Sequence, residues 1–388
     1  MNEKARHKRA YTFLRGLISP IFKRMFNYTY PIVKDIEGPY IVLANHNLEL
    51  DPVLVAMAFP KQMYFVASEH IMRKGFGTWF LMRYLKPIIR VKGKVEVKTV
   101  SEILRTVRGG DNVCIFAEGA RSFNGLTRDI LASTGKMVRR SGATLITYRL
   151  EGGYFSQPRW STTLRKGKMT GLVAGVYTPE ALKTMTDDQV NALIKKDLYE
   201  DAYETQKKVR IPFKGKHLAL GMESTLFLCP SCKQINTLKS DDTSIRCSCG
   251  TKHVYTEYGE LIDETKAQTT ITQWDLWQKQ ELASKLQEWN TAGCHQPCFS
   301  DEVTLYDIAG NHQIVSEQKG QLTAFIDRIE CCGQIFYYED MQGLDIFSRN
   351  FIVMNYGKDA HHYEIKGDLM FCALKYIYLY QLVKGENI

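Results

Sequence analysis

Between residues 39 and 180, short apolar runs alternate with stretches of helical spacing, and this alternation limits the fold more than any other feature of the chain. Runs of this length are typical of buried strands, whereas apolar residues three and four positions apart are typical of amphipathic helices. Strands and helices in succession indicate a sheet with helices packed on it. The runs are YIVLAN, MYFVAS, VCIFAE, TLITYRL and GLVAGVY, and the helical stretches include TVSEILRTVRGG and STGKMVRRSG. We therefore predict an α/β domain.

A helical segment and a change of charge mark the end of this domain. Thr178-Pro179 has the pattern of a helix start, and Thr186 with Gln189 has the pattern of a capping box. Residues 1–220 carry 37 Lys and Arg against 19 Asp and Glu, whereas residues 221–388 carry 14 against 23. We place the α/β domain at residues 28–220. Its positive charge favours an anionic target, namely a phosphate-bearing substrate, a nucleic acid or an acidic membrane surface.

Residues 1–27 are basic, and their apolar side chains recur at helical spacing. Ser19-Pro20 has the pattern of a helix cap followed by a first-turn proline, which predicts two short helices. These are either amphipathic membrane-association helices on an anionic bilayer or ordinary helices packed on the core. No stretch is apolar enough for a signal peptide or a membrane span. We therefore expect a cytoplasmic protein, peripheral on the inner face of the membrane, without a transmembrane helix.

The acidic half contains two closely spaced cysteine pairs, Cys229 with Cys232 and Cys247 with Cys249, and 14 residues separate the pairs. Two such pairs flanking a hairpin-length loop are typical of a structural zinc site with four thiolate ligands. We predict a zinc ribbon at residues 221–257 with these four cysteines as ligands. The second pair has one intervening residue where ribbons usually have two, so a redox site or a vestigial ribbon is the alternative.

The remainder of the acidic half is predicted to be a helical linker at residues 258–297 and a small β domain at residues 298–388. Short alternating runs, broken by turn sequences such as DIAGNH and CCGQ, precede the apolar helix ALKYIYLYQLVK. A strand meander closed by one helix resembles pleckstrin-homology-like and GRAM-like modules, which implies lipid or protein binding. The negative charge of this half argues against simple adhesion to anionic lipid.

The sequence NHNLELDP places His46 five residues before Asp51. In a continuous helix this separation turns the two side chains about 140° apart, so we expect them to straddle a strand-to-helix junction. Asp51-Pro52 has the pattern of an N-cap and a first-turn proline. A carboxylate on one ring nitrogen leaves the other nitrogen as a general base for a substrate hydroxyl. The alternative is that Asp51 only caps a helix and His46 is a polar loop residue.

A second polar group follows the apolar run VCIF, and a cation, Arg90, follows the apolar run PII. A glycine at a strand end beside an arginine suits a phosphate clamp with bidentate contacts, and a nearby glutamate could orient a hydroxyl or the arginine. We therefore expect an anion-binding group next to the predicted base. Its members after VCIF are Glu118, Gly119, Arg121 and Ser122.

The chain contains the motifs NHNLELDP, IIRVKG and FAEGARS, in this order and roughly 30 to 45 residues apart. Together, these motifs resemble the glycerolipid acyltransferase family typified by 1-acylglycerol-3-phosphate (lysophosphatidic acid) acyltransferase. The resemblance covers about residues 35–180 and implies a mixed sheet flanked by helices. It implies that His46 deprotonates a glycerol hydroxyl, that Asp51 orients His46, and that the hydroxyl attacks an acyl thioester directly, without an acyl-enzyme. The glycerophosphate site that it implies consists of Arg90, Glu118, Gly119, Arg121 and Ser122.

The expected reaction is acyl transfer to 1-acylglycerol-3-phosphate, which gives phosphatidic acid in phospholipid biosynthesis. The expected partners are the lysophospholipid acceptor, acyl-CoA or acyl-carrier protein as donor, and an anionic membrane surface, with structural zinc as cofactor. Leu48, Ala117 and Ala120 differ from residues common in the family, which leaves another lysophospholipid or glycerolipid acceptor open. A non-catalytic lipid-binding scaffold is a further alternative. We expect no nucleic-acid binding, because the predicted ribbon lies in the acidic half of the chain.

Overall fold

In the computed structural model, which describes residues 3–69, 76–90, 97–293, 296–310, 313–386 and 388, the chain divides into two units. The first contains residues 1–158 and 164–214, and the second contains residues 159–163 and 215–388. The first unit is built on a seven-stranded sheet. Its strands are β1 (Tyr28–Thr29), β2 (Tyr40–Ala44), β3 (Met63–Ser68), β4 (Ile88–Arg90), β5 (Asn112–Phe116), β6 (Thr144–Glu151) and β7 (Met169–Tyr177).

The sheet of the first unit is mixed, with the strand order β1-β7-β6-β2-β5-β3-β4. Strands β6, β2, β5, β3 and β4 pair in parallel, β7 is antiparallel to β6, and β1 is parallel to β7. The carboxyl ends of the five parallel strands therefore meet at one edge. Side chains and loops that follow these strands converge there, as expected for a site in an open α/β sheet.

Helices cover both faces of this sheet. Alternate residues of β2 enter opposite cores, Tyr40, Val42 and Ala44 on one face and Ile41 and Leu43 on the other. Burial on both faces explains why the strands appear as continuous apolar runs. The predicted α/β fold with a mixed sheet is confirmed. The helices are α1 (Glu3–Met25), α2 (Asp51–Ala58), α3 (Phe76–Tyr84), α4 (Val97–Arg108), α5 (Ser133–Ser141), α6 (Gly153–Ser156), α7 (Pro179–Lys183), α8 (Asp187–Leu198) and α9 (Ala202–Val209).

The N-terminal segment forms one helix, α1, and the prediction of two short helices is wrong. Pro20 lies inside this helix. The Ser19 hydroxyl donates a hydrogen bond to the carbonyl of Arg15, four residues earlier, instead of capping a new helix. Contacts with the end of α2 hold the helix: Tyr11 Oη donates to Phe59 O at 3.0 Å, and Arg15 Nη2 donates to Met57 O at 2.8 Å. No helix of the described residues combines the length and the apolar composition that a bilayer span requires.

The second unit begins with a five-stranded antiparallel sheet and continues with a long helix, α10 (Ile271–Thr291). Two strands of this sheet, β11 and β12, lie inside the segment predicted as a helical linker. They extend the sheet whose strand β9 ends at Cys247, since β11 pairs with β10 and β10 pairs with β9. The strands are β8 (Leu238–Ser240), β9 (Ser244–Cys247), β10 (Lys252–Tyr255), β11 (Leu261–Asp263) and β12 (Gln268–Thr269).

A seven-stranded antiparallel sheet completes the second unit and is followed by the helix α11 (Ala373–Val383). Two meanders, β13 to β16 and β17 to β19, join through the pairing of β13 with β19. The predicted small β domain closed by a helix is confirmed, and its likeness to lipid-binding modules stays a prediction. The strands are β13 (Phe299–Ile308), β14 (Ile314–Ala324), β15 (Arg328–Cys331), β16 (Gln334–Tyr337), β17 (Met341–Phe347), β18 (Phe351–Tyr356) and β19 (His361–Lys366).

Candidate active site and candidate metal centre

The loop between β2 and α2 brings His46 and Asp51 together. Asp51 is fully buried, and its Oδ2 lies 2.9 Å from His46 Nδ1. The same oxygen accepts hydrogen bonds from the backbone N–H groups of Asn47, at 2.6 Å, and Leu48, at 2.9 Å. Because this oxygen accepts two backbone N–H groups, the tautomer that fits the contact is the one in which Nδ1 donates. The strand-to-helix junction predicted from the spacing is therefore present.

The role of Asp51 in the helix differs from the prediction. Helix α2 begins at Asp51, and Leu50 occupies the cap position without a side-chain hydrogen bond. The carboxylate turns back onto the loop instead of forward onto the first turn of the helix. Pro52, which lacks an N–H group, lies in the first turn of the helix as predicted. The three hydrogen bonds of Asp51 Oδ2 thus fix the loop and the imidazole together.

The imidazole of His46 packs on an aromatic ring and keeps one nitrogen accessible. Its ring centroid lies 4.5 Å from that of Phe116, at the end of β5, and its side chain is 20% exposed. Among the described residues, Nε2 makes no hydrogen bond. With Nδ1 donating to Asp51, Nε2 is the nitrogen that can accept a proton.

Glu118, after β5, holds the backbone of His46. Its Oε1 accepts a hydrogen bond from His46 N and its Oε2 accepts one from Arg128 N, each at 2.6 Å. Burial raises the pKa of Glu118 to about 8, and these two backbone hydrogen bonds oppose that rise. Ser122 N donates to His46 O at 3.0 Å, while the Ser122 hydroxyl donates to Leu126 O at 2.7 Å. Both side chains are occupied by protein contacts, so direct substrate contact by Glu118 or Ser122 stays a prediction.

The two predicted cations follow different strands: Arg90 ends β4, and Arg121 lies on the segment that follows β5. Gly119 adopts a φ of +69°, and a Cβ atom there would lie 2.6 Å from Arg90 Nη1. A glycine is therefore needed both for the backbone conformation and for the close approach of Arg90. Arg121 Nη2 lies 3.2 Å from Glu49 Oε1, and the side chains are 11% and 62% exposed. Residues 91–93 of the IIRVKG motif lie outside the described residues.

Sequence reasoning missed a buried network beneath the loop. Asn45 and Asn47, on either side of His46, both donate to Glu200 Oε2, at 3.1 and 2.8 Å. Both also donate to Leu150 O, at 2.9 and 3.0 Å. The only local signal was the pair of asparagines in NHN. Glu200 lies more than 150 residues away in the sequence, so no motif spacing could have connected it with His46.

Two comparisons with known proteins concern the part of the chain that contains this site. Residues 25–151 match the family model Acyltransferase. This match covers about a third of the chain. The matched segment extends from the end of α1 to the end of β6 and includes every residue predicted for catalysis and phosphate binding. Of solved structures, the 1-acyl-sn-glycerophosphate (LPA) acyltransferase PlsC from Thermotoga maritima is similar at 19% identity, with a TM-score of 0.43, over 51% of this chain and 81% of that chain.

Outside the segment that matches the family model, the four predicted cysteines form one cluster. Their sulfur atoms all lie within 4.8 Å of one another. Cys229 Sγ lies 3.8 Å from Cys249 Sγ, and Cys232 Sγ lies 3.6 Å from Cys247 Sγ. Four thiolates at about 2.3 Å from a tetrahedral zinc ion would lie about 3.8 Å apart. The donor set and its spacing are thus compatible with structural zinc.

The short second cysteine pair does not prevent this arrangement. The backbone N–H of Cys249 donates to Cys247 Sγ at 3.5 Å, and Gly250 N donates to Cys247 O at 3.0 Å. Gly250 adopts a φ of +99°, which favours glycine. The turn after β9 is therefore tight enough for both sulfur atoms to face the first pair with one intervening residue.

Proposed function

We propose that the protein transfers an acyl group from an acyl thioester to the free hydroxyl of 1-acylglycerol-3-phosphate, which gives phosphatidic acid. The contact between His46 Nδ1 and Asp51 Oδ2 carries this proposal. This contact orients an imidazole whose second nitrogen is accessible, at the edge of the sheet where the parallel strands end. Arg90 ends a strand at this edge, and Arg121 follows another. The match of residues 25–151 to the acyltransferase family supports the class of reaction.

In the proposed mechanism, His46 Nε2 takes the proton of the acceptor hydroxyl as its oxygen attacks the thioester carbonyl. Asp51 stabilises the imidazolium that forms and keeps its ring in place. The tetrahedral intermediate expels the thiolate, which takes the proton from His46. One C–O bond forms, one C–S bond breaks, and the imidazole returns to its neutral state. No acyl-enzyme is required, because the acceptor oxygen itself is the nucleophile.

The acceptor phosphate is proposed to bind Arg90 and Arg121. Glu49 is mostly exposed and contacts the largely buried Arg121, so a phosphate could displace it at small cost. Arg90 lies directly against the Gly119 backbone, beside the segment that holds His46. This arrangement places positive charge close to the proposed base, as a lysophospholipid with a terminal phosphate would require.

The reaction is tested with the full chain, lysophosphatidic acid and an acyl thioester, by measuring release of free thiol. We expect turnover that the His46→Ala variant lowers by at least about 100-fold, as for loss of a general base. Equal thiol release by the wild type and this variant would contradict the proposal. A folded wild type without turnover would instead favour the alternative of a non-catalytic lipid-binding scaffold.

The acceptor headgroup is tested with Arg121→Gln. If the phosphate binds Arg121, this variant raises KM for lysophosphatidic acid by about tenfold and leaves KM for an uncharged monoacylglycerol unchanged. An equal effect on both acceptors would contradict the phosphate assignment and favour a different glycerolipid. A parallel assay with acyl-CoA and acyl-carrier protein identifies the donor.

A peripheral position on the inner face of an anionic membrane is part of the proposal. Apolar side chains at four-residue intervals along α1 are exposed, by 69% at Phe13, 55% at Leu17, 54% at Ile21 and 42% at Met25. An apolar line on a basic helix is the pattern of a segment that lies in the headgroup region.

We also propose that Cys229, Cys232, Cys247 and Cys249 hold a structural zinc ion, which would cross-link the two turns of the ribbon.

A further inference from the structure

We propose that Glu200 is a positioning residue for the proposed acyl transfer, because it holds the backbone on both sides of His46 through Asn45 and Asn47. The inference rests on the proposed function and adds a residue outside the matched acyltransferase segment. Glu200 does not touch His46 itself. Its Oε2 receives one hydrogen bond from the side chain that precedes the base and one from the side chain that follows it.

The two asparagines are fixed at several points. Asn45 Oδ1 accepts a hydrogen bond from Leu150 N at 2.7 Å, while its Nδ2 donates to Leu150 O at 2.9 Å. Asn47 Nδ2 donates to the same carbonyl at 3.0 Å. Both asparagines are almost fully buried, so loss of an acceptor would leave amide N–H groups without a partner inside the protein. The loop would then shift to find new partners.

Glu200 is itself held in place. Its backbone N–H donates to Thr127 Oγ1 at 2.8 Å, and its carbonyl accepts a hydrogen bond from Thr127 N at 3.0 Å. The side chain is 4% exposed. An acceptor that is fixed at its own backbone can define the position of the groups that bind it.

The loop is thus held from two directions. Glu118 and Ser122 bind the backbone N–H and C=O of His46, and Glu200 binds the side chains of its two neighbours. Asp51 orients the imidazole ring and binds two backbone N–H groups that follow it, while Glu200 binds side chains on both sides of His46. A displacement of about 1 Å at a reacting group can cost about 100-fold in rate. Removal of the Glu200 oxygen should therefore lower kcat more than it changes acceptor binding.

The chemistry of Glu200 suggests the conservative variant. Burial raises the pKa of Glu200 to about 8, and the side chain of Asn47 and the backbone of Gly152 oppose the rise. Of the charged neighbours, Glu151 raises this pKa and Arg149 lowers it. At neutral pH the carboxyl is therefore largely uncharged, and glutamine keeps its shape and an acceptor oxygen. Aspartate keeps the carboxyl but is one methylene shorter, so it cannot reach both asparagines.

The experiment compares Glu200→Gln, Glu200→Ala and Glu200→Asp in the full chain. Asp201→Ala is the matched control, since Asp201 Oδ1 caps α9 through Tyr203 N and Glu204 N and makes no contact with the asparagines. The readouts are kcat and KM with lysophosphatidic acid, Tm, and the rate at which diethylpyrocarbonate modifies His46, followed by mass spectrometry. The modification rate depends on the surroundings of the imidazole and can be measured without turnover.

We expect Glu200→Ala and Glu200→Asp to lower kcat by about 10- to 100-fold, with KM within threefold and the His46 modification rate changed by at least threefold. Glu200→Gln should stay within about threefold of the wild type in all readouts. Asp201→Ala should lower Tm without changing kcat or the modification rate. If Glu200→Ala does not fold, Glu200→Asp decides the comparison.

Three results would overturn the inference: wild-type kcat and modification rate in the folded alanine or aspartate variant, an equal loss in Glu200→Gln, or the same loss in Asp201→Ala. Absence of turnover in the wild type itself would instead refute the proposed function. In that case the modification rates of His46 still show whether Glu200 positions the loop, so the two failures are distinguishable.

Discussion

The His46 loop and the cysteine cluster are both built on turns at strand ends, but they direct their reactive atoms in opposite ways. In the cluster, all four sulfur atoms face one another. At the loop, Asp51, Glu118 and Glu200 bind groups around His46, and the imidazole keeps an accessible nitrogen. A closed set of donors is typical of a structural metal site. An oriented side chain with one accessible atom is what a general base requires.

The two regions also differ in how they use buried ionisable groups. The loop is held by the carboxyl groups of Glu118 and Glu200, and burial raises the pKa of each to about 8. Such groups are costly to bury, and they are concentrated around functional sites. The cysteine cluster would instead gain stability when a metal ion joins its donors. Damage to the first region should therefore slow a reaction, and damage to the second should unfold part of the chain.

Removal of zinc is expected to have the largest effect. Zinc bound by four thiolates contributes on the order of 10 kcal/mol to folding of a small site. We expect about one zinc per chain by elemental analysis, and a Tm of the second unit that falls by more than about 10 °C after chelation. Cys229→Ser with Cys232→Ser should reproduce both effects. Cys331→Ser with Cys332→Ser, outside the cluster, is the control, and a metal-free but equally stable wild type would contradict the prediction.

Asp51→Asn is expected to have the next largest effect, this time on rate. The amide of asparagine can place an N–H donor where Oδ2 of Asp51 accepts three hydrogen bonds. The imidazole then loses the acceptor that fixes its tautomer. We expect kcat to fall by about 10³- to 10⁴-fold, with KM for the acceptor changed by less than threefold. Steady-state kinetics across a range of lysophosphatidic acid concentrations separates the two constants. A change confined to KM would show that Asp51 acts on binding instead of on the base.

Gly119→Ala should have a smaller effect and should act on the phosphate site. The φ of +69° is unfavourable for alanine by about 1 kcal/mol, and the added Cβ atom would displace Arg90. We expect KM for lysophosphatidic acid to rise by about tenfold while kcat falls by less than threefold. Gly110→Ala is the control, because it also has a positive φ, of +82°, but nothing lies within 4 Å of its Cβ position. Equal effects of both variants on KM would argue against a role for Arg90.

The elements predicted from local signals are present in the structure. Strands β2, β3, β5, β6 and β7 appear in the sequence as apolar runs; β2, β5 and β6 are largely buried in the sheet, and β3 and β7 are mostly half-buried. The capping box at Thr186 and Gln189 is present with both hydrogen bonds, since it depends on residues three positions apart. Where one short segment contains all the interacting groups, the sequence was sufficient to predict the structure.

Features that depend on distant residues could not be predicted in this way. Ser19-Pro20 has the same sequence whether it starts a helix or lies within one, and the contacts of α1 with the end of α2 decide between the two. Glu200 stands between Tyr199 and Asp201 in the sequence, and no motif spacing relates it to NHN. The chain order of the sheet brings it beneath His46, and that order is a property of the whole unit.

The smallest predicted effect concerns the exposed line on α1, which has no counterpart in the cysteine cluster. Leu17→Ala would remove part of an apolar side chain from the membrane contact and should weaken binding to vesicles rich in anionic phospholipid by about fivefold, or roughly 1 kcal/mol. Thr12→Ala, also exposed on α1 but outside the line, should have no effect. Co-sedimentation with anionic and zwitterionic vesicles measures both variants. Equal binding of the wild type and Leu17→Ala would show that the line does not contact the bilayer, and equal binding to both kinds of vesicle would exclude a contribution from the basic residues of α1.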